Sequence, residues 1–266
     1  MILAVLLSIA GAAPAQATIV APYLALGDSL PFGYNPTLDK GNAAGFVGYP
    51  EEVAQDLGLA LTNASCPGES SGHFITTSLP DNACGLYRFF FPLHVAYTGD
   101  QLSFALAFLH AHPTTGLVTL SIGANDVFLL RNNCAVLSSA SCFNDNFRAV
   151  VTLAAERVWW ILSQIRQTGY GGKIAVVTYY ARDYSDSTEV LVATALDAYV
   201  ASVTALLGGV VADGFEAFKP ASVAAGGDPC AAGLLIITNT NPRTCDVHPS
   251  PAGRHLLAQA VVQAVS

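Results

Sequence analysis

Charged side chains are scarce in this chain of 266 residues. Asp, Glu, Lys and Arg make up 11% of it, against about 25% in an average protein. The formal net charge is −8, and the 11 lysines and arginines form no basic cluster. Because binding to a phosphate backbone depends on patches of Lys and Arg, the composition argues against a nucleic-acid partner.

The six cysteines show no Cys-x-x-Cys spacing, and this makes a zinc site a weak hypothesis. An oxidising compartment would favour disulfides instead, although six cysteines allow many pairings and the sequence cannot choose among them. We favour sequential pairing, because each bond would then close one loop. The pairs would be Cys66 with Cys84, Cys134 with Cys142, and Cys230 with Cys245.

The N-terminal segment has no basic residue, since no Lys or Arg precedes Lys40. It is apolar over Ile2–Ala13, and Ala15–Ala17 has the small-x-small pattern of a cleavage site. This apolar stretch is shorter than the roughly 20 residues of a membrane span, and we expect no second span of about 18 apolar residues. The pattern predicts a signal peptide over residues 1–17 and one secreted domain over 18–266. A buried N-terminal strand or helix is the alternative.

Short apolar runs alternate with longer helical patterns along the rest of the chain. Near-continuous apolar runs are typical of parallel strands that are covered on both faces. Five runs fit: Tyr23–Leu26, Ala60–Asn63, Leu117–Ile122, Ile174–Thr178 and Val210–Ala212.

Apolar residues at helical spacing predict the intervening helices. They run through residues 102–109, 147–165 and 192–206, and a last helix begins at Pro251. This alternation predicts an α/β protein, a three-layer α/β/α domain with a five-stranded, mainly parallel sheet. Two long stretches, 64–98 and 213–250, are predicted to be irregular.

Four short motifs carry residue types suited to catalysis. Ligands bind at the edge of an open parallel sheet where its strands end, and three of the motifs follow predicted strands. The motifs are Gly27-Asp28-Ser29-Leu30, the segment 63–70 with Gly68, Gly123-Ala124-Asn125-Asp126, and Asp246-Val247-His248-Pro249.

These residue types suit acyl transfer through a serine. The Ser29 hydroxyl is a poor nucleophile until a base takes its proton, and His248 is the best candidate base. The oxyanion that forms on attack needs donors that already point at it. We expect these donors to be the backbone N–H groups of Ser29 and Gly68 and the side-chain amide of Asn125.

With these four motifs in order, the chain resembles the SGNH hydrolases of the GDSL lipase/esterase family. It is most similar to their secreted, disulfide-containing actinobacterial-type members, by its paired cysteines and its Cys-Pro-Gly-Glu-Ser run. The resemblance implies a flavodoxin-like sheet, no metal and no organic cofactor. It also implies Ser29 as nucleophile, His248 as base, and Ser29, Gly68 and Asn125 as oxyanion donors.

One position departs from the family pattern. An aspartate usually stands three residues before the histidine, but that position is Cys245 here, and Asp246 lies two before His248. In one interpretation the loop curls so that Asp246 still orients the imidazole. In the other, which we favour, the catalytic unit is a Ser-His dyad and the Cys245 carbonyl accepts the imidazole proton.

Structural roles are the alternatives for several of these residues. Ser29 could be an ordinary turn serine, Asn125 a helix cap and His248 part of a helix-entry loop. Asp28 and Asp126 are expected to be structural turn carboxylates. The other five histidines are expected to be structural or solvated: His73, His94, His110, His112 and His255.

The segment Phe89–Leu93 is unusually apolar. It either folds onto the core or forms an acyl-binding wall, with Phe89, Phe90 and Phe91 touching a lipid interface. Tyr179 and Tyr180 either line the pocket or cap their strand.

The predicted function is a secreted, monomeric serine esterase or lipase that hydrolyses carboxylic esters of lipids or other acyl substrates through an acyl-enzyme. A carbohydrate O-deacetylase and a non-catalytic secreted binding module are the alternatives. The sequence therefore predicts the reaction type more narrowly than it predicts the substrate.

Overall fold

Five short strands form the central sheet of the structure, a computed structural model that describes residues 20–138 and 141–266. They are β1 (Pro22–Gly27), β2 (Ala60–Asn63), β3 (Leu117–Ser121), β4 (Lys173–Val177) and β5 (Val210–Ala212). All neighbouring strands are parallel, in the order β2-β1-β3-β4-β5. This is the flavodoxin-like order, and each predicted strand is confirmed to within one residue at either end. The predicted signal peptide, residues 1–17, lies outside the described residues.

Ten α-helices and one short 3₁₀ helix, Ala43–Gly45, occur in the described part of the chain. The α-helices are α1 (Ser29–Phe32), α2 (Tyr49–Leu57), α3 (Ser71–Ile75), α4 (Cys84–Phe90), α5 (Gln101–Ala111), α6 (Ala124–Leu137), α7 (Cys142–Gln167), α8 (Ser187–Leu206), α9 (Gly214–Ala224) and α10 (Pro251–Val265). The predicted helices correspond to α5, α7, α8 and α10.

Two groups of helices flank the sheet. In one group, α10 contacts α2, α9 and the strands β4 and β5. In the other, α7 contacts α3, α5, α6 and α8, while α5 reaches β1 and α8 reaches β4 and β5. The middle strand β3 is buried along its whole length, as its near-continuous apolar sequence predicts. The α/β/α layering is therefore confirmed.

The stretches 64–98 and 213–250 are more regular than predicted. The first contains α3 and α4, of five and seven residues, which are too short for helical periodicity to stand out. The second contains α9 and an antiparallel hairpin formed by β6 (Leu235–Thr240) and β7 (Arg243–Pro249). That hairpin is a separate two-stranded sheet, so its strands lack the apolar runs that mark the main sheet.

Helix α8 also departs from expectation. It is long and apolar enough, with a mean hydropathy of 1.5, to meet the length and composition criteria of a membrane span. Here it packs against α7 and the sheet, and Ala193, Leu196 and Val200 are buried in those contacts. Within the fold it is therefore an outer-layer helix that packs one face onto α7 and the sheet.

Three disulfides join the cysteines in the sequential pairing that we favour. Each closes a short stretch of chain, and the pairs are Cys66–Cys84, Cys134–Cys142 and Cys230–Cys245. The first ties the loop after β2 to α4, and the third ties β7 to the segment that precedes the hairpin. Both of these disulfides lie in segments next to predicted site residues.

Candidate active site

A cleft of about 420 Å³ contains all four predicted site residues, Ser29, Gly68, Asn125 and His248. The register of the sheet explains why the first three meet. Gly27 at the end of β1 pairs with Ser121 at the end of β3, and Ala25 pairs with Asn63 at the end of β2. The loops that leave these three strands therefore emerge side by side at one edge of the sheet.

The turn that carries Ser29 is held on both sides. Gly27 has a φ of +124°, and a Cβ there would lie 2.0 Å from the Ser121 carbonyl oxygen, so only glycine fits. Buried Gln101 accepts from the Gly27 N–H at 2.5 Å and donates to the Gly27 carbonyl at 3.0 Å. The N–H of Asp28 donates to the Ser121 carbonyl at 3.0 Å. The nucleophile turn is therefore fixed by residues distant in sequence.

Asp28 is a buried carboxylate beside the nucleophile. It caps α1 by accepting from the Leu30 N–H at 3.0 Å, and it accepts from the Tyr179 hydroxyl at 2.5 Å. Burial raises its pKa to about 6, although its hydrogen bonds with Tyr179 and Leu30 favour the ionised form. These contacts agree with the structural role expected for it.

The two predicted oxyanion donors outside the nucleophile turn share one neighbour, Asn82. The N–H of Asn82 donates to the Gly68 carbonyl at 2.9 Å, and its side chain donates to Oδ1 of Asn125 at 2.9 Å. Gly68 has a φ of +83°, and a Cβ there would lie 2.2 Å from the Asn82 carbonyl oxygen. The Cys66–Cys84 disulfide closes the segment that contains both Gly68 and Asn82.

These contacts fix which end of the Asn125 amide is the donor. Its Oδ1 faces the Asn82 amide, and its Nδ2 lies 3.5 Å from Oδ2 of Asp28, which accepts hydrogen bonds when ionised. The NH₂ group is therefore on the Asp28 side, beside the Ser29 turn. This is the orientation that an oxyanion donor requires.

Asp126 links the second and third motifs. It accepts from the N–H and the hydroxyl of Ser71 at 2.9 and 2.7 Å, and Arg157 lies 3.1 Å from its Oδ1. Burial raises its pKa, and the hydrogen bonds from Ser71 and the charge of Arg157 oppose that rise. The start of α3 is thereby tied to the start of α6, which agrees with the structural role expected for Asp126.

His248 reaches the cleft from β7 rather than from the main sheet. Its Nδ1 contacts Oδ1 of Asp246, and the same oxygen accepts from the His248 N–H at 3.1 Å. The structure thus differs from the dyad that we favour, in which the Cys245 carbonyl orients the ring. Burial tends to raise the pKa of Asp246, but its hydrogen bond with His248 and the charge of that ring lower it.

Strand geometry explains how an aspartate two residues away reaches the ring. Side chains at i and i+2 of a strand point to the same face. Between the paired positions Cys245 and Pro249, β7 also has three residues where β6 has one, so the strand bulges there. A bulge re-aims side chains, and this one presents Asp246 and His248 together.

Two tyrosines flank the imidazole. The Tyr180 hydroxyl donates to the Val247 carbonyl at 2.5 Å, and its ring stacks on Phe218 with the centroids 4.0 Å apart. The ring of Tyr34 lies edge-on to His248 at 4.9 Å between centroids. Tyr179 and Tyr180 both line the cleft and also hold the site through their hydroxyls.

Among the described residues, no direct hydrogen bond joins the Ser29 hydroxyl to the His248 ring. Hydrogen bonds between a nucleophile and its base are often long without substrate and tighten in the complex. The two side chains do line the same cleft, where Ser29 is buried and His248 is half-buried. The hydroxyl and the imidazole therefore open onto one shared space.

One part of the segment Phe89–Leu93 packs onto the protein, and the other part lies exposed beside the cleft. Phe91 and Leu93 pack against a small buried cluster of Phe32, Phe46 and Tyr87. Phe89 is 79% exposed and Phe90 62% exposed at the end of α4, and Phe90 and Phe91 line the cleft. One part is thus anchored in the protein, and the other presents aromatic rings to solvent beside the cleft.

Side chains of the types that can bind a metal ion lie close together near this site, and they include Glu69, His73 and Asp81. Each such group includes Cys84, whose sulfur is bonded to Cys66 and is not free as a thiolate ligand. The Glu69 carboxylate accepts instead from His73 at 2.5 Å and from Gln101 at 3.3 Å. His73 is therefore structural, as expected, and Glu69 belongs to the support of the Gly27 turn.

Sequence reasoning missed Gln101 and Asn82. A glutamine at the start of an amphipathic helix and an asparagine in a loop carry no local signal of a role. Gln101 directly follows Asp100, which caps α5, so its position is fixed by that cap. Asn82 lies between the two paired cysteines of the first disulfide, and that pairing was the one available hint.

Comparison with known proteins agrees with this arrangement. The model of the GDSL-like lipase/acylhydrolase family matches residues 25–256. A comparison with curated protein sequences found no relative at a significant level of similarity.

Several solved structures share the fold over nearly the whole chain. Phospholipase A1 from Streptomyces albidoflavus is 19% identical, with a TM-score of 0.59, covering 93% of this chain and 100% of that one. A lipase from a goat rumen metagenome is 13% identical, with a TM-score of 0.56 and coverage of 92% and 97%. An acetyl xylan esterase from Geobacillus stearothermophilus is 16% identical, with a TM-score of 0.51 and coverage of 93% and 96%. At these identities, the likeness is one of fold.

Proposed function

Because the chain belongs to the GDSL-like lipase/acylhydrolase family and is thus a carboxylic ester hydrolase, we propose that it is a secreted enzyme that cleaves esters of lipids or other acyl substrates through Ser29. The observation that carries this proposal is the convergence of Ser29, Gly68, Asn125 and His248 in one cleft. Their loops come from three strands of the main sheet and from a separate hairpin.

The proposed reaction uses each of these groups. The Ser29 oxygen attacks the ester carbonyl carbon while His248 takes the hydroxyl proton, and Asp246 stabilises the imidazolium. The N–H groups of Ser29 and Gly68 and the Asn125 amide donate to the oxyanion. Collapse expels the alcohol, which takes the proton from His248. Water then attacks the acyl-enzyme in the same way, releasing the acid and restoring the serine.

The apolar walls of the cleft support an acyl substrate. Leu86 and Phe90 of α4 line it together with Phe91, the residue after that helix. Val192 and Leu196 line it from α8. Leu86, Phe89 and Phe90 are also among the exposed large apolar side chains. Exposed apolar patches mark interaction sites, which supports transient contact between α4 and a lipid interface. The three disulfides support secretion.

Labelling with a fluorophosphonate probe tests the nucleophile. We expect the wild-type protein and a Ser103→Ala control, altered at an exposed serine of α5, to be labelled and Ser29→Ala to remain unlabelled. Labelling of Ser29→Ala at the wild-type rate would reject the assignment. A wild-type protein that neither labels nor hydrolyses any ester would support the binding-module alternative.

A chain-length series of p-nitrophenyl esters tests the substrate. We expect kcat/KM to rise from acetate to medium-length acyl chains, because the longer chain buries more apolar surface. The acetyl xylan esterase with the same fold makes an O-deacetylase the second candidate. A sharp preference for acetate would favour that candidate over the lipid ester.

A further inference from the structure

Positively charged side chains are concentrated at the candidate active-site cleft of this acidic protein. Three of its 11 lysines and arginines line the cleft, namely Lys40, Arg131 and Arg182. Two carboxylates, Glu189 and buried Asp28, line it as well. The formal charge of these five side chains is positive, whereas that of the whole chain is −8.

The two arginines have a structural explanation. Arg131 on α6 and Arg182 in the loop after β4 both donate to the Glu189 carboxylate, at 2.9 and 2.7 Å. Glu189 is partly buried, which tends to raise its pKa, but its hydrogen bond and charge interactions with Arg182, followed by Arg131, lower it. The carboxylate stays ionised, and the three side chains link α6 to α8. These arginines are already partnered.

The Lys40 ammonium makes no hydrogen bond or ion pair within the part of the chain that the structure describes. The other two lysines each have a partner, since Lys219 pairs with Glu216 at 2.8 Å and Lys173 donates to the Val265 carbonyl. The Nζ of Lys40 instead lies 5.9 Å from the centre of the Tyr34 ring and 5.8 Å from that of Phe91. A half-buried ammonium in an apolar cleft, without a carboxylate, is free to pair with an anion from solution.

The position of Lys40 indicates which part of a substrate it would meet. The Tyr34 ring that Lys40 contacts lies 4.9 Å from the His248 ring. One tyrosine ring therefore separates the ammonium from the imidazole. His248 delivers its proton to the departing alcohol, so the alcohol part of an ester lies on this side of the cleft.

We propose that Lys40 binds an anionic group, a carboxylate or a phosphate, carried by the alcohol part of the ester substrate. This rests on the proposed function, because it uses the direction in which His248 protonates the leaving group. The ammonium makes the mouth of the cleft attractive to an anion that the overall negative charge of the protein repels. Tyr34 and Phe91 hold the ammonium in place through contacts with their ring faces.

A matched pair of soluble esters tests the proposal. The butyrate esters of 4-hydroxybenzoate and 4-hydroxybenzamide differ in whether the alcohol part carries a carboxylate. In Lys40→Met, which keeps an apolar stem, we expect kcat/KM for the anionic ester to fall about tenfold more than that for the neutral one, a size typical of one partly screened ion pair. Lys40→Arg should restore most of this difference, and the wild-type preference should weaken as salt increases.

Lys219→Met is the matched control, because it removes the same charge from an exposed position on α9. We expect it to leave the ratio of the two esters unchanged. Equal losses for both esters in Lys40→Met, or the same shift in Lys219→Met, would overturn the proposal. In either case continued hydrolysis of the neutral ester, abolished by Ser29→Ala, would show that the proposed function itself still stands.

Two further substrates distinguish the sources of the anion. A phosphate monoester in place of the carboxylate shows which anion is preferred, and vesicles of phosphatidylglycerol or phosphatidylcholine test a lipid headgroup. A Lys40-dependent preference for phosphatidylglycerol would identify a phospholipid as the source. A Lys40-dependent preference that is seen with the soluble esters but not with the vesicles would identify a small anionic ester as the source.

Discussion

The two halves of the candidate site are held in different ways. The serine half lies on the main sheet, where Gly27 is clamped by Gln101 and Asp28 is buried against Tyr179. The histidine half lies on the separate hairpin, where His248 and Asp246 are only half-buried. The candidate nucleophile thus depends on the core, whereas the candidate base depends on a bulged strand, two tyrosines and one disulfide.

This difference bears on how the site works. A group held by many long-range contacts is preorganised at the same point in every turnover. A group on a hairpin has fewer such contacts and can move more easily, so we expect His248 rather than Ser29 to shift when substrate binds. The following substitutions, ordered by expected effect, test this comparison.

The largest effect is expected from Asp246→Asn. The amide cannot stabilise the imidazolium, so kcat should fall by roughly 10³- to 10⁴-fold, as for a triad aspartate. Steady-state kinetics with a p-nitrophenyl ester measure this, with Asp145→Asn on the exposed face of α7 as control. A loss below about tenfold would support the Ser-His dyad.

Asn82→Ala tests the serine half. Loss of its amide leaves Oδ1 of Asn125 without its partner and lets the amide rotate, so we expect kcat to fall roughly 10- to 100-fold with little change in KM. Asn132→Ala removes only a 3.4 Å contact on the far side of Asn82, and its effect should be much smaller. If both variants behave alike, Asn82 does not position the oxyanion donor.

Asp28→Asn tests the buried charge beneath the nucleophile. The pKa of Asp28 is raised to about 6 in the folded state, above its unfolded value of about 4. Its contribution to stability is therefore fully present below pH 4 and is lost as the pH rises through 6. The free energy of unfolding of Asp28→Asn, relative to that of wild type, should thus be up to about 3 kcal/mol more favourable to folding at pH 8 than at pH 4.

Urea unfolding at both pH values measures this change, with exposed Asp56→Asn as control. The constant effect of altered hydrogen bonds cancels in the difference between the two pH values. A difference that does not vary with pH would show that Asp28 is not protonated more easily in the folded protein.

Tyr180→Phe should have the smallest effect. It removes the hydrogen bond to the Val247 carbonyl but keeps the stack on Phe218, so we expect a loss of about 1 kcal/mol in stability and a fall in kcat of a few fold. Tyr199→Phe on α8 is the control. If Tyr180→Phe leaves kcat unchanged, this hydroxyl does not help to position the candidate base.

Much of the fold follows from patterns visible along the chain. The five strands are predicted to within one residue because buried parallel strands need continuous apolar runs. The hairpin of β6 and β7 was missed because it lies outside that sheet and carries polar residues such as Thr238 and Asn239. The short helices α3 and α4 were missed because they depend on a disulfide and on tertiary contacts rather than on periodicity.

The sequence by itself determined the five strands of the main sheet, four of the ten described α-helices and the candidate site residues, because apolar periodicity and the four motifs are local properties. Only the tertiary structure decided that Asp246 faces His248, that Asn82 contacts both Gly68 and Asn125, and that Lys40 lies beside the cleft. These are distances between side chains on different elements or across a bulge. They depend on strand register, bulge geometry and packing, which local sequence does not encode.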